Sequence, residues 1–157
     1  MYAAIMNTAL GSLLIKANDS AITSIHFLKD SETVPELIDN HLIDQCIREL
    51  GEYFAGQRVR FDVPLAPKGT EFQKSVWMKL QEIPYGNTAS YGEIARRIGN
   101  PKAARAIGLA NNRNPIPIII PCHRVLGSNG SLTGYAGGME NKSYLLKLEG
   151  KATEASG

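Results

Sequence analysis

Two cysteines stand in this chain of 157 residues, Cys46 and Cys122, and their surroundings set them apart. Cys122 ends the stretch Asn114-Pro115-Ile116-Pro117-Ile118-Ile119-Ile120-Pro121-Cys122 and is followed by His123, Arg124 and Val125. A cysteine attacks as its thiolate, and neighbouring positive charge or a base favours that form. His123 and Arg124 are therefore expected to promote ionisation of Cys122. Pro115, Pro117 and Pro121 fix much of the backbone, and the isoleucines are expected to anchor it in an apolar core. Rigid placement is what a nucleophile needs, because attack geometry governs much of the barrier. Neighbours on an extended strand point to opposite faces. Cys122 and His123 thus cooperate only if the chain bends there or a water bridges them.

The elements that must hold this stretch are readable around it. From Thr70 onward the pattern is short helices with clear punctuation. Thr70 is expected to cap a helix with apolar positions Phe72, Val76, Trp77 and Leu80, closed off by Pro84-Tyr85-Gly86. Ser90-Tyr91-Gly92-Glu93 has capping-box spacing. The helix after it packs Ile94 and Ile98 inward and stops at Gly99. Asn100 is expected to cap a further helix with Pro101 in its first position. The two make a helix-turn-helix candidate, whose second helix carries Lys102, Ala103, Ala104, Arg105 and Gly108. Small residues let such a helix approach a sugar-phosphate backbone while reading little base sequence.

The first half reads differently. Tyr2–Met6, Leu13–Lys16 and Ile22–Leu28 are short apolar-rich runs separated by turn residues, as in antiparallel strands. Leu42, Ile43, Cys46, Ile47, Leu50, Tyr53 and Phe54 recur at helical spacing, with Gly56 as the stop, so Cys46 is expected on a buried stripe. Phe61–Leu65 is expected to add a strand, and Ala66-Pro67-Lys68-Gly69 reads as a linker. The fold class expected is α+β, with a small N-terminal antiparallel sheet and helix before a mostly helical C-terminal domain. The boundaries are 1–67 for the supporting domain, 68–151 for the domain bearing Cys122, and 152–157 for a tail.

Charge divides at the same place. Residues 1–67 carry five Lys/Arg against nine Asp/Glu, a net of −4, whereas residues 68–151 carry twelve against five, a net of +7. That asymmetry points the second half toward a polyanion. Apolar residues make up 43% and charged residues 20%, in the range of folded soluble domains, which excludes wholesale disorder. Apolar runs such as Ile118–Ile120 are far too short to span a bilayer. With no basic flank and apolar core at Met1–Leu10, no export signal is expected. The cysteines then read as reduced thiols of a cytoplasmic protein. His26, His41 and Cys46 lack a plausible fourth ligand, so neither a metal nor any other cofactor is expected.

Several stretches, in order, resemble one family. Pro121-Cys122-His123-Arg124-Val125 is similar to the active-site signature of the O6-alkylguanine-DNA alkyltransferases. Before it in family order come Thr88 to Ala95, Asn100 to Gly108 and Asn114-Pro115. After it come Gly134-Tyr135-Ala136-Gly137-Gly138 and Leu145-Leu146-Lys147-Leu148-Glu149. The close match covers roughly residues 69–150; the first half fits only in its general layout.

The resemblance implies DNA repair by irreversible transfer of an alkyl group from O6 of guanine to Cys122, with O4 of thymine as a second candidate donor. Each molecule would act once. His123 would be the general base, through a water, with Glu149 orienting it. Tyr91 would turn the target phosphate and donate a proton toward the leaving guanine. Arg105 would fill the gap left by the flipped base, with Ser90, Lys102, Ala104 and Gly108 also at the DNA. Asn114 would brace the reactive turn. Pro117, Val125, Tyr135, Ala136 and Gly137 would line the substrate pocket. The partner would be double-stranded DNA containing O6-alkylguanine, met by a monomer away from any membrane.

Departures from the family pattern are local. Ala136 stands where some members have serine, and Asn111 replaces an apolar residue of some relatives. Pro117 and Gly137 match members with roomy pockets, so alkyl groups larger than methyl are expected to be accepted. Two other classes fit parts of the pattern. A cysteine hydrolase would use the same Cys-His-Glu set with repeated turnover, but no Gly-x-nucleophile-x-Gly elbow surrounds Cys122. A non-catalytic lesion sensor would share the shape but lack the cysteine.

Overall fold

The computed structural model describes residues 1–127, 135 and 137–150. Contacts divide the chain into two compact units, Met1–Lys68 and Gly69–Gly157. The architecture is α+β: a three-stranded antiparallel sheet with a helix in the first unit, and a mostly helical second unit.

In the first unit β1 (Tyr2–Thr8), β2 (Gly11–Ala17) and β3 (Ile22–Phe27) lie in that order, each antiparallel to its neighbour. The central β2 buries Leu13, Leu14, Ile15 and Ala17, so both of its faces are covered there. Helix α1 (His41–Phe54) begins at Asn40, whose side-chain oxygen accepts the Ile43 N–H at 2.9 Å. It buries Leu42, Ile43, Cys46, Leu50 and Tyr53. Burial pushes the Cys46 thiol up to about 12, with the Glu49 charge adding to the shift, so this cysteine is chemically quiet.

Residues 61–65 do not form the expected strand; only Leu65 bridges to Ile22. The reason lies in Glu49, buried on the same helical face. Its carboxylate accepts the N–H groups of Asp62 and Val63, at 2.9 and 3.1 Å. Pro64 has no N–H to give. The donors a ladder needs are thus already used or missing.

The second unit starts at Gly69, and the close approach there admits no side chain. A Cβ at that position would sit 2.5 Å from the Trp77 ring. Gly69→Ala is expected to destabilise the protein by about 1–3 kcal/mol, measured by denaturant unfolding, because the buried Trp77 cannot yield. Helix α2 (Glu71–Gln81) carries the full Thr70/Gln73 capping box and buries Val76, Trp77 and Leu80. A two-residue strand, β4 (Ala89–Ser90), leads into α3 (Tyr91–Ile98), where Ser90 and Glu93 form the second capping box. Gly99, at φ +88°, ends that helix in the left-handed region.

Helix α4 (Ala104–Asn112) begins later than expected. Asn100 is not its cap: the Ala103 N–H donates to the Asn100 carbonyl at 3.0 Å, closing a turn with Pro101 second. Proline's fixed φ suits that turn position. Ala103 occupies the cap without a side-chain acceptor. Lys102 therefore sits in the turn rather than on the helix, and Arg105 falls in the first helical turn. After the proline-rich segment come a single 3-10 turn at Cys122–Arg124, strand β5 (Val125–Leu126) and helix α5 (Met139–Leu148).

Candidate active site

The reactive segment is bent by its own sequence. Pro121, at φ −81° and ψ 64°, is the centre of an inverse γ-turn closed by the Cys122 N–H on the Ile120 carbonyl at 2.8 Å. The 3-10 turn follows at once, so Cys122 and His123 do not lie on an extended strand. The Ile120 carbonyl also accepts from Asn114 Nδ2 at 2.7 Å, while Asn114 Oδ1 takes the Ile116 N–H at 2.9 Å. One buried amide thus ties both ends of the proline-rich loop. Ile116, Ile118, Ile119 and Ile120 are buried beneath it. Ile118 has φ +75°, rare for a β-branched residue, so the loop stores strain of about 1–3 kcal/mol. Nothing in the amino-acid pattern announces that strain.

Beyond the turn, β5 pairs in parallel with β4, Ala89 against Val125 and Ser90 against Leu126. This short ladder joins the cap of α3 directly to the residues after the cysteine turn. Tyr91 therefore starts its helix beside the reactive turn. Gly108 on α4 faces the Tyr91 ring, where a Cβ would lie 4.0 Å from it. Trp77 Nε1 donates to the Ala110 carbonyl at 2.9 Å, fixing α4 against α2.

Cys122 is 2% exposed. Burial pushes its thiol up to about 11, opposed by a hydrogen bond from Asn114 and the charge of Lys142. Arg124 does not help, contrary to the expectation from adjacency. Its Nε and Nη2 donate to Glu149 at 2.8 and 3.0 Å, and its Nη1 to the Ile83 carbonyl at 2.7 Å. The guanidinium is committed to the carboxylate on the other side of the turn.

Glu149 lies just past the end of α5 and receives His123 Nε2 as well, at 2.8 Å. Burial alone would raise its carboxyl, but the bonds from His123 and Arg124 outweigh that and bring it down to about 2. An ionised carboxylate only accepts, so the His123 proton sits on Nε2. Nδ1 is then the bare, basic nitrogen, and among the described residues it has no hydrogen-bond partner. Burial lowers the His123 pKa against the pull of Glu149, which keeps the ring neutral at physiological pH.

The remaining expected positions divide by exposure. Pro117, Val125 and Tyr135 are buried with the reactive turn. Burial raises the Tyr135 hydroxyl well above its ordinary value, with the charges of Cys122 and Glu149 acting in the same sense. Arg105 and Lys102 are exposed, while Ser90, Tyr91, Ala104, Gly108 and Gly137 are half-buried. Ala136 lies outside the described residues. Among the described residues no group of three or more His, Cys, Asp or Glu could hold a metal ion, and no helix is long and apolar enough to cross a membrane.

Sequence reasoning missed three roles. Arg124 clamps Glu149. Asn111, 1% exposed on α4, reaches the Cys122 carbonyl through Nδ2 at 3.4 Å. Lys142, fully buried, donates to the Val125 carbonyl at 2.7 Å. A signal for Lys142 exists: 142, 145 and 146 form the inward stripe of α5 and 149 continues it just past the helix end, so a lysine and a glutamate occupy core positions.

A helix-turn-helix unit whose buried core presents a cysteine beside a Glu-oriented histidine defines a class: DNA-binding-type domains with a thiol acceptor. Comparison with known proteins narrows it. Residues 71–151 match the DNA-binding domain of 6-O-methylguanine DNA methyltransferase, and residues 1–67 match that family's ribonuclease-like domain. The methylated-DNA–protein-cysteine methyltransferase of Methanosarcina acetivorans is 54% identical over 154 residues, covering 96% of this chain and 99% of the relative. That of Mycobacterium leprae is 46% identical over 147 residues, covering 92% and 89%. The crystal structure of Mycobacterium tuberculosis OGT in complex with DNA superposes with a TM-score of 0.88 at 45% identity, over 97% of this chain and 94% of that one. The chain belongs to the 6-O-methylguanine DNA methyltransferase family.

Proposed function

We propose that this protein repairs DNA by moving the alkyl group of O6-alkylguanine onto its own Cys122, once per molecule. The observation that carries the reading is the buried Cys122–His123–Glu149 set within a family-matched helix-turn-helix unit. The target base is first flipped out of the duplex, since a stacked base cannot reach a buried thiol. Arg105, exposed on the first turn of α4, fills the gap in the stack. Ser90, Lys102, Ala104 and Gly108 face the backbone. Pro117, Val125, Tyr135 and Gly137 border the base, and Asn114 braces the turn beneath it.

The chemistry is a displacement at carbon. His123 Nδ1 takes the Cys122 proton through a water, and the imidazolium is stabilised by Glu149. The sulfur lone pair forms the S–C bond as the C–O6 bond breaks and its electrons pass to the guanine. Tyr91 gives its hydroxyl proton to the departing base. The product thioether has no thiol left to attack again, so the reaction stops at one equivalent. The protein works as a monomer in the cytoplasm.

Intact-mass measurement after mixing with a duplex containing one O6-methylguanine tests this reading. One methyl on Cys122 by peptide mapping, with repair ending at one lesion per molecule, is the expected result. Unmodified protein bound to the lesion means a sensor; repair beyond one equivalent means a hydrolase-like turnover. O6-benzylguanine is expected to react too, and its failure would limit the pocket to small groups.

Binding to DNA rests on the basic second half. Affinity is expected to fall steeply with salt, and Arg105→Ala should weaken binding on undamaged duplex by about 1 kcal/mol or more. A flat salt series in fluorescence anisotropy would remove the electrostatic argument.

A further inference from the structure

The proton transfer within the proposed alkyl transfer, on which this inference rests, needs a water held in a fixed place. Asn111, in the last turn of α4, lies outside the Cys-His-Glu set and is 1% exposed. A buried carboxamide is costly unless its donors and its oxygen find partners. Asn111 Nδ2 donates to the Cys122 carbonyl at 3.4 Å. That carbonyl belongs to the peptide joining Cys122 to His123, so the amide sits against the two residues between which the proton passes. Asn111 Oδ1 is buried and has no hydrogen-bond partner among the described residues, and the same holds for His123 Nδ1. With the His123 proton fixed on Nε2 by Glu149, Nδ1 is an acceptor too.

Two acceptors cannot satisfy each other, and the single proton of the Cys122 thiol serves only one of them. A water brings two donors for the pair and a lone pair for the thiol, which gives it the three polar partners a buried water needs. We propose that Asn111 is a positioning residue for the proton transfer, its Oδ1 holding the water that carries the Cys122 proton to His123 Nδ1. Asn114, the other amide at the turn, cannot take that part, because its oxygen already accepts the Ile116 N–H. The support is rigid: Trp77 Nε1 donates to the carbonyl of Ala110, the residue before Asn111. In the transfer the water gives one of its protons to Nδ1 and receives the thiol proton in its place. It then donates that proton back toward the sulfur and accepts from Nδ1–H. The hydrogen bond to Asn111 Oδ1 is unchanged throughout, so it pins the water in both states.

A double-mutant cycle read without DNA separates this role from bracing of the backbone. Labelling of Cys122 by iodoacetamide, followed by peptide mapping at neutral pH, needs the thiol proton removed but no flipped base. Asn111→Leu keeps the volume and removes the oxygen. It should slow labelling about tenfold or more, part of the roughly 10²–10⁴-fold that a placed general base supplies. Methyl transfer from a duplex containing O6-methylguanine should slow in proportion. In a His123→Leu background, where no base receives the proton, the same substitution should change labelling by less than about twofold. Unchanged labelling in Asn111→Leu overturns the proposal. So does an equal loss in both backgrounds, which means that the amide only braces the Cys122 carbonyl. A loss confined to the DNA reaction also overturns it, because Asn111 then acts on the base and not on the proton.

If either leucine variant fails to fold, the wild type still decides. A crystal structure at a resolution that shows ordered water should place one within hydrogen-bond distance of both Asn111 Oδ1 and His123 Nδ1. An Oδ1 bonded elsewhere, or a dry site, overturns the proposal there too. A cycle that behaves as expected in a protein that never demethylates DNA would leave this inference standing and sink the repair reading instead.

Discussion

Cys122→Ser should abolish alkyl transfer, with a loss on the order of 10⁴-fold or more in the single-turnover rate. A serine hydroxyl ionises far less readily than a thiol, and its oxygen is a weaker nucleophile toward carbon. The residue is buried on a turn whose shape comes from Pro121, Asn114 and the isoleucines rather than from the sulfur. Folding should therefore survive, with a stability change below about 1.5 kcal/mol. The variant should still bind duplex DNA with wild-type salt dependence. Intact mass and rapid-quench assays decide the matter. A methyl found on Cys46 of the Cys122→Ser protein would place the acceptor elsewhere, an outcome that burial of the Cys46 thiol opposes.

Glu149→Gln should damage both stability and rate. The carboxylate receives side-chain bonds from His123 Nε2 and from two nitrogens of Arg124, and all three residues are buried. Its removal leaves a buried guanidinium uncompensated, at a cost of about 3–5 kcal/mol. For a unit of this size that lowers the melting temperature by on the order of 20 °C. The transfer rate should fall about 10²-fold or more, because the amide neither stabilises an imidazolium nor dictates which ring nitrogen holds the proton.

The pH dependence follows from the same groups. Glu149 is brought down to about 2 in the folded protein against an ordinary 4.5. Its stabilisation is complete above about 4.5 and is lost as pH falls toward 2. His123 is depressed from 6.5. The unfolded chain gains its proton first, so stability also declines as pH falls below 6.5. Unfolding experiments from pH 7 to 3 should show that progressive loss, and Glu149→Gln should flatten the portion below 4.5.

Much of this is legible from residues alone. The helix caps at Thr70 and Ser90 are local devices, satisfied within one turn, and both form where the residues place them. The buried stripe of α1 follows from helical period and needs no knowledge of its neighbours. Local reading fails where a second group competes for the same donor or acceptor. The pattern over 61–65 predicts a strand, but Glu49 on α1 consumes two of its N–H groups. Asn100 has the right type to cap α4, but its carbonyl closes a turn with Ala103, and Lys102 leaves the helix as a result. Adjacency predicts that Arg124 acts on Cys122, yet its guanidinium reaches across to Glu149, 25 positions later.

Residue type and short spacing suffice to identify Cys122 as the nucleophile, to place the prolines that bend the chain beside it, and to set out the ordered stretches shared with the family. These properties exist before any long-range contact forms. The electrostatics around the sulfur belong to the folded chain alone. Whether a cation acts on Cys122 depends on which buried charges already neutralise each other, and Coulomb energy in a low-dielectric core depends on distance in space. Arg124, adjacent but one in the chain, is spent on Glu149, which reaches it from beyond the end of α5.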